Sequence, residues 1–410
     1  MTRTEERLTD ALAARAAAVA AHSIRPLPAP EARRFRHHSA GRRWSMSLAP
    51  LAAAASIATI TAVVGMLPQH HAAGHGLTGM PKNSMLLRVA AVSASDAWAV
   101  GMVFSGRRFR PLIMHWNGTD WTRSPISAPG KTQDLWDVAA ASPRDAWAVG
   151  SRTDRLEGSQ PSIFHWNGAE WAPVPAPRIP ASAYLTGVAV VSVTDAWAVG
   201  NANGALILHW NGTRWRNVPN PWLRGDASLF AVFAKSADDV WAVGRAGASA
   251  LILRWNGRSW TRLGGPNYRR YGPSIAGVAV VSSRLAWLVG NTRRGLPLIL
   301  RWNGSTLRQV SGSKPTFSGG LTGVSAVTAG QAWAVADCVP PSTQTRIFRW
   351  QGHSWRRVPH LAGRVAANLC GVFALSARNV WAVGYTGLNF KTGRRAVILH
   401  WNGTSWRAVA

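Results

Sequence analysis

The sequence predicts an all-β fold: a seven-bladed β-propeller of four-stranded antiparallel blades over residues 84–410, preceded by a single transmembrane helix and a short cytoplasmic segment. The first observation is a tryptophan that opens a Trp-Ala-Val-Gly-like segment and recurs every 44 to 50 residues, at Trp98, Trp147, Trp197, Trp241, Trp287, Trp333 and Trp381. The second is a later tryptophan that directly precedes a turn, Asn-Gly in six of the seven copies, at Trp116, Trp166, Trp210, Trp255, Trp302, Trp350 and Trp401. Self-similarity at this period indicates a repeat architecture, and four strands repeated seven times make a propeller.

Each copy supplies four strand-like segments; in the third copy they are residues 185–191, 196–199, 206–210 and 215–218. A Ser-x-x-Asp turn joins the first segment to the second. Asn-Gly joins the third to the fourth, and here we predict a type I′ turn with positive φ at both central residues. The repeated acids of the first turn are expected to accept backbone hydrogen bonds there: Asp96, Asp145, Asp195 and Asp239.

Positions that are filled alike in every copy are interpreted as core. Trp116 and Trp121 are expected to meet across the hairpin, and Trp98 to cover the seam with the neighbouring blade. One third-strand position holds either histidine or arginine, which we expect to lie over the repeated tryptophan rather than bind a metal: His115, His165, His209, Arg254, Arg301, Arg349 and His400. Leu307 stands where the fifth copy lacks its fourth-strand tryptophan, which predicts a looser fifth blade.

The residues before the repeats predict an anchor. Residues 1–43 form a basic cytoplasmic segment with a short helix, 44–67 a transmembrane helix and 68–83 a Gly/His/Pro linker. The 23 residues 45–67 carry no charge and as a helix would extend roughly 34 Å, enough to cross a hydrocarbon core of about 30 Å. The arginine-rich flank places the N-terminus inside and the propeller outside the cell membrane. A cleaved signal peptide is the alternative, disfavoured by the long charged leader.

The net charge and the two cysteines bear on the kind of partner and on whether the protein contains a disulfide. The net charge of +29 should attract anions, although an arginine-rich genome composition would give the same excess. Cys338 and Cys370 are either joined in one disulfide or are two buried free thiols. The linker histidines His70, His71 and His75 are interpreted as solvated, and no metal site or cofactor is predicted.

The segments 96–101 and 113–121 resemble the WAVG…HWNGT…W repeats of actinobacterial secreted or membrane-anchored β-propeller proteins. More distantly, the second segment is similar to the Asp-box of sialidase-type and photosystem-assembly-factor-like propellers, with Gly118 and Trp121 where that motif has its glycine and last aromatic. Kelch and galactose-oxidase-type propellers share the architecture. The resemblance implies the fold and an outside location, and it carries no activity.

The number and placement of acidic residues indicate whether the repeats could support glycosidase chemistry. The repeats hold 13, only two of them glutamates, and no pair is placed like the two carboxylates of a glycosidase. We therefore predict that the protein is not an enzyme. Arg88 and Asp137, each ten residues before the repeated tryptophan, are predicted to form a structural ion pair in the central channel. The alternative is a glycan-active enzyme, a hydrolase or lyase, with a site in that channel.

The two faces of the disc differ in sequence. The turn face carries the first-to-second and third-to-fourth turns, which are short and uniform. The loop face carries the second-to-third loops and the interblade connections, which vary in length and are rich in arginine. Variable loops on a rigid scaffold usually carry binding, so we predict a non-catalytic extracellular binding or scaffold propeller that engages an anionic cell-wall polymer, glycan or protein, not nucleic acid. The candidate ligand-binding residues are Arg107, Arg108, Arg110, Tyr268, Arg269, Arg270, Tyr271, Arg293, Arg294, Arg394 and Arg395.

Overall fold

The computed structural model describes residues 80–106, 108–127, 132–154, 158–179, 182–219, 225–264, 273–310, 317–336, 338, 345–358, 361–362, 366–387 and 393–409. These residues form seven antiparallel sheets, one for each sequence repeat, so the predicted seven-bladed propeller is confirmed. The predicted cytoplasmic segment, transmembrane helix and most of the linker lie outside the described residues. Within the described ranges, no helix has the length and apolar character to span a membrane.

The strands follow one another in each blade from the central channel outward. Blades 1 to 3 contain β1 (Ser84–Ser93), β2 (Asp96–Ser105), β3 (Arg108–Trp116) and β4 (Trp121–Arg123); β5 (Gln133–Ser142), β6 (Asp145–Asp154), β7 (Gly158–Trp166) and β8 (Trp171–Pro173); and β9 (Tyr184–Ser192), β10 (Asp195–Asn201), β11 (Ala205–Trp210) and β12 (Trp215–Asn217). Blades 4 and 5 contain β13 (Ala227–Ser236), β14 (Asp239–Ala246), β15 (Ser249–Trp255) and β16 (Trp260–Arg262); and β17 (Ser274–Ser282), β18 (Leu285–Asn291), β19 (Pro297–Trp302) and β20 (Leu307–Gln309).

Blade 6 contains β21 (Leu321–Thr328), β22 (Gln331–Ala336), β23 (Ile347–Trp350) and β24 (Trp355–Arg357). The connection after it includes β25 (Leu361–Ala362), which pairs in parallel with the outermost strand of blade 7. Blade 7 contains β26 (Asn368–Ser376), β27 (Asn379–Thr386), β28 (Arg395–Trp401) and β29 (Trp406–Ala408).

Tryptophans pack the seams between blades, as the sequence predicts. Trp98 of blade 1 is fully buried, and its ring centroid lies 4.9 Å from that of Trp166 and 5.1 Å from that of Trp171 in blade 2. Within blade 1, Trp116 and Trp121 face each other across the hairpin at 5.9 Å. Their large apolar area is removed from water at each seam, which makes the repeated tryptophan positions structural.

The ring closes by contact between blades 7 and 1. Each blade is built from consecutive strands, and Trp381 of blade 7 packs on Trp116 at 5.2 Å, as at the other seams. Residues around the start of β1 add polar contacts: Lys82 forms an antiparallel bridge with Arg395, and the hydroxyl of Ser84, the first residue of β1, accepts the N–H of Ala396 at 3.1 Å. The beginning and end of the propeller are therefore held together without exchange of a strand.

The turn between the third and fourth strands differs from the predicted type I′ turn. It has four residues, 117–120 in blade 1, and the Asn117 Oδ1 accepts the backbone N–H groups of Thr119 and Asp120 at 3.0 and 2.8 Å. Gly118 has a φ of 102°, whereas Asn83 and Asn203 are the only non-glycine residues with positive φ in the described chain. The prediction of positive φ at both central residues was wrong, because the asparagine side chain, rather than a left-handed asparagine backbone, organises the turn.

The glycine three residues after the repeated tryptophan lies opposite a β-bulge in the first strand. In blade 1, Leu86 pairs with Gly101 and Arg88 with Val100, so Leu87 is an extra residue, and the same shift occurs in all seven blades. A Cβ on Gly101 would lie 2.0 Å from the carbonyl oxygen of Met85. Blade 6 has Ala336 at this position, and its first strand begins only at Leu321, opposite that alanine.

Gly244→Ala is expected to lower the free energy of unfolding by about 2–3 kcal/mol, because the new Cβ would overpack a well-ordered strand pair. That Cβ would lie 2.0 Å from the Ser228 carbonyl oxygen, so one of the two strands must shift. Urea unfolding measures the change. Ala336→Gly is the matched control and should cost no more than about 1 kcal/mol, the ordinary loss for glycine in place of alanine. Equal losses at the two positions would contradict this account of the glycine.

Candidate functional site

The histidines and arginines of the third strand lie over the repeated tryptophans, as predicted. His115 stacks on Trp98 with ring centroids 4.0 Å apart, and the guanidinium of Arg254 lies 5.3 Å from the ring centroid of Trp241. The same arrangement recurs with His165, His209, Arg301, Arg349 and His400. These side chains belong to the packing of each blade. No group of three or more metal-ligating side chains occurs among the residues that the structure describes.

The repeated acids of the first turn bind side chains, not the turn backbone, so that prediction was wrong. Asp145 lies 2.7 Å from His165 Nε2, and Asp239 lies 2.7 Å from Arg254 Nε. The turn N–H is taken instead by the serine that starts the motif: Ser93 Oγ accepts the N–H of Ser95 at 3.2 Å. The serine hydroxyl takes the turn N–H, and the carboxylate pairs with the histidine or arginine that lies over the tryptophan.

Blade 7 has histidine without this carboxylate, because Asn379 replaces the aspartate and lies 3.1 Å from His400 Nε2. Burial lowers the pKa of His400 to about 4. The unfolded chain binds this proton near pH 6.5, so the stabilising contribution is complete above pH 6.5 and is lost as the pH falls towards 4.

Asn379→Asp is expected to reduce the acid sensitivity of the fold by about 2 kcal/mol between pH 7 and 4.5, since a new carboxylate favours protonated His400. The measurement is the free energy of unfolding of both proteins at the two pH values. His400→Arg, the residue that blades 4 to 6 have here, should also remove the dependence. An unchanged pH profile in both variants would contradict the assignment.

The central channel contains a layer of charge where the sequence predicts an ion pair. The structure places Arg88 Nε 3.9 Å from Asp137 Oδ1, on adjacent blades. Arg88 Nη1 donates to the carbonyl oxygens of Leu87 and Cys370 at 2.9 and 2.7 Å, and Nη2 to that of Thr322 at 3.4 Å. Burial lowers the pKa of the Arg88 guanidinium, and the Asp137 carboxylate opposes that shift. One arginine thus joins blades 1, 6 and 7.

The channel is filled on the loop side of this layer. The side chains of Leu87, Trp136, Phe230 and Cys370 are buried there, on the first strands of four blades. A disulfide joins Cys370 to Cys338, and the Tyr385 hydroxyl donates to the Cys338 carbonyl oxygen at 2.8 Å. Leu87, Trp136, Cys338, Cys370 and Tyr385 therefore belong to one packed hydrophobic cluster on this side.

A cavity of about 230 Å³ occupies the channel on the turn side. Arg88 and Asp137 line it together with a ring of valines, and Phe233, Phe373 and Ser325 line it further towards the turns. Asp137 is the one carboxylate among the residues that line this cavity. Its oxygens accept the N–H groups of Val138 and Val188, both at 3.0 Å.

The candidate ligand residues on the loop face have different surroundings. Arg108, Arg110 and Arg294 are exposed, while Arg293 and Arg395 are half-buried. Arg107, Tyr268, Arg269, Arg270 and Tyr271 lie outside the described residues. Exposed Arg152 at the end of β6 adds to this face.

Arg394 does not fit the prediction of a ligand-binding residue. It is 5 % exposed, and its guanidinium lies 4.6 Å from the ring centroid of Tyr385. The residue follows a variable loop in sequence, but its side chain packs on the tyrosine beside the disulfide. Because this guanidinium is buried against the ring, it is not available for a surface contact.

Sequence reasoning missed a third group of arginines. The outermost strands carry exposed arginines one or two residues after the fourth-strand aromatic position, and the described outermost strands contain no acid; this edge belt comprises Arg123, Arg216, Arg262, Arg308, Arg356, Arg357 and Arg407. Charged side chains on an exposed edge oppose strand addition by another chain. The recurrence of arginine after the fourth-strand aromatic position is the signal in the sequence that indicates this belt.

No protein-family model and no curated protein matches the chain. Among solved structures, it is similar to YCF48 from Cyanidioschyzon merolae, with 17% identity, 77% of this chain and 96% of that chain covered, and a TM-score of 0.53. It is also similar to the WD40 repeats of RRP9, with 11% identity, coverage of 79% and 97%, and a TM-score of 0.52.

A third similar structure is the GH74 xyloglucanase from Xanthomonas campestris, with 12% identity, 80% of this chain covered and a TM-score of 0.55; the match spans 55% of that enzyme. At these identities the likenesses show the fold alone. The predicted distant likeness to photosystem-assembly-factor-like propellers is confirmed at that level, whereas the kelch likeness gains no support from these structures. The chain has the β-propeller fold of these proteins.

Proposed function

We propose that this protein is a non-catalytic binding or scaffold propeller, held at the outer surface of the cell membrane by residues 44–67 with its N-terminus in the cytoplasm. Its loop face engages an anionic partner: a cell-wall polymer, a glycan or an acidic protein. The resemblance of the repeats to those of actinobacterial secreted or membrane-anchored propellers with WAVG repeats supports this proposed location.

The exposed arginines of the loop face carry the proposal. Arg108, Arg110 and Arg152 lie near the loop-face ends of β3 and β6, and Arg294 lies in the connection between β18 and β19; all four are exposed. The exposed carboxylate of Asp226 on this face lies 3.5 Å from Arg245, with which it forms an ion pair. Cationic side chains on a rigid ring raise the local concentration of anions, and the net charge of +29 strengthens that field.

The composition of the cavity favours binding over glycan catalysis. A glycosidase uses two carboxylates that face each other across the scissile bond. The cavity lining presents Asp137 alone, and two amides and Arg88 hold it in place. The activity named for the xyloglucanase is that enzyme's own, and the similarity at 12% identity concerns the fold.

Retention of the full chain on beads carrying a phosphodiester wall polymer, polyglucuronate or neutral dextran tests the proposal. We expect retention on both anionic supports at about 50 mM salt and release at about 500 mM, where charges are screened within a few ångströms. Retention that is insensitive to salt, or equal on dextran, would argue against it. Turnover of a glycan that disappears in Asp137→Asn would instead favour the enzyme.

A further inference from the structure

The backbone of the channel wall already binds one carboxylate. The two oxygens of Asp137 accept N–H groups from Val138 in its own blade and Val188 in the next, at 3.0 Å each. Because these amides point at a side chain in the channel, they are turned away from the ladder with the second strand. The equivalent valine, nine residues before the repeated tryptophan, lines the cavity in every blade: Val89, Val138, Val188, Val232, Val278, Val324 and Val372.

The opposite wall has the same backbone without the same side chain. Blades 5 and 6 have Gly277 and Gly323 at the position that Asp137 occupies in blade 2. A Cβ on Gly277 would lie 3.3 Å from the nitrogen of Val324, and one on Gly323 would lie 3.4 Å from the nitrogen of Val372. In the described chain no side chain accepts from these amides. A carboxylate from outside would therefore meet the two-amide geometry that holds Asp137.

Charge and shape narrow the ligand further. Arg88 Nη2 reaches the Thr322 carbonyl oxygen of blade 6, which brings its positive charge to the wall formed by Gly277 and Gly323. Towards the turn face the lining is mostly apolar: Phe233 and Phe373 lie there beside Ser325, whose hydroxyl oxygen already accepts the N–H of Ala374. A volume of about 230 Å³ suits a small apolar group rather than a polymer.

We infer that the turn-side cavity is a second binding site, distinct from the loop face, for a carboxylate that bears a small apolar group. The carboxylate lies on the amides of Val324 and Val372 opposite Asp137. The apolar group extends between the phenylalanines towards the turn face. The ligand is either a free carboxylic acid or the C-terminus of a peptide, which share this chemistry.

Titration of the full chain with 3-phenylpropionate, followed by calorimetry, tests the site. The acid is expected to bind at least tenfold more tightly than 3-phenylpropionamide, because the amide group lacks the charge and the second acceptor. Equal affinity of acid and amide would overturn the inference. A tetrapeptide that ends in phenylalanine, with a free or an amidated C-terminus, distinguishes the two sources of the carboxylate. If the ligand is a peptide C-terminus, the tetrapeptide with a free C-terminus should bind more tightly than 3-phenylpropionate. If it is a small carboxylic acid, 3-phenylpropionate should bind more tightly.

Gly277→Asp/Gly323→Asp places a carboxylate of the chain's own where the ligand's is expected. The double variant should weaken binding of 3-phenylpropionate more than tenfold, whereas Gly330→Asp, in an open turn on the turn face, should not. Unchanged affinity in the double variant contradicts the site. NMR of the unmodified chain gives a readout that needs no variant. On titration with 3-phenylpropionate, the largest changes in amide chemical shift are expected at Val324 and Val372, and changes concentrated elsewhere would contradict the site. Retention on anionic polymer stays the same in either case, so this site and the loop face are tested separately.

Discussion

Arg88→Met is expected to lower the free energy of unfolding by about 3 kcal/mol, the usual loss when one partner of a buried ion pair is removed. The change leaves Asp137 buried without its cation, and it removes the donor that three backbone carbonyls share. Since those carbonyls belong to blades 1, 6 and 7, the variant should weaken the closure of the ring as a whole. Urea unfolding followed by tryptophan fluorescence measures the loss.

A double-mutant cycle separates the ion pair from the hydrogen bonds to the carbonyls. Asp137→Asn should cost less than Arg88→Met, because an asparagine oxygen can still accept one amide. The combination of both changes should cost less than their sum by about 1 kcal/mol or more, since neither charge is then left alone. Strict additivity would mean that the two side chains do not interact and that Arg88 acts through the carbonyls only.

The blade architecture follows from sequence because its determinants are local and repeated. Tryptophans equivalent to Trp98 and Trp166 recur at fixed positions in every copy. Periodicity alone therefore indicates the strand order and the seam that each tryptophan covers. The stacking of His115 on Trp98 was predictable for the same reason. A place that accepts histidine or arginine but always faces tryptophan indicates packing.

The features that the sequence did not predict depend on three-dimensional contacts that composition and periodicity do not specify. The bulge at Leu87 displaces the first strand by one residue, and it is visible in sequence only through the glycine at position 101. Arg394 follows a variable loop yet packs on Tyr385, because β27 and β28 pair as a hairpin that places the two residues side by side. The hydrophobic cluster on the loop side of the channel joins residues from blades 1, 2 and 7. Such contacts between distant residues have no signature in a single sequence.

The candidate surface was only partly predictable. The arginine-rich loops were recognised from their variable length, and Arg108 and Arg110 are exposed. The edge belt went unnoticed because its arginines are scattered one by one through the outermost strands. The channel amides of Val324 and Val372 carry no sequence signal at all, since a backbone donor is the same in every residue.

Reversal of the loop-face charge is expected to produce the second large effect. Replacing Arg108, Arg110, Arg152 and Arg294 by glutamate should weaken binding to an anionic polymer roughly 30-fold or more, if each exposed pair contributes about 0.5 kcal/mol. The turn face offers a matched control of four exposed arginines, Arg144, Arg214, Arg258 and Arg284. The edge belt offers a second, Arg123, Arg216, Arg262 and Arg308. All three variants change the net charge by the same amount.

The affinity of these three variants for one phosphodiester polymer, measured side by side at the same ionic strength, tests the role of the loop face most directly. The account predicts the large loss in the loop-face variant and a loss of a few-fold at most in the turn-face and edge-belt variants, with all three still folded. Similar losses in all three would show that net charge alone attracts the polymer. A larger loss in either control would place the partner on another surface of the disc.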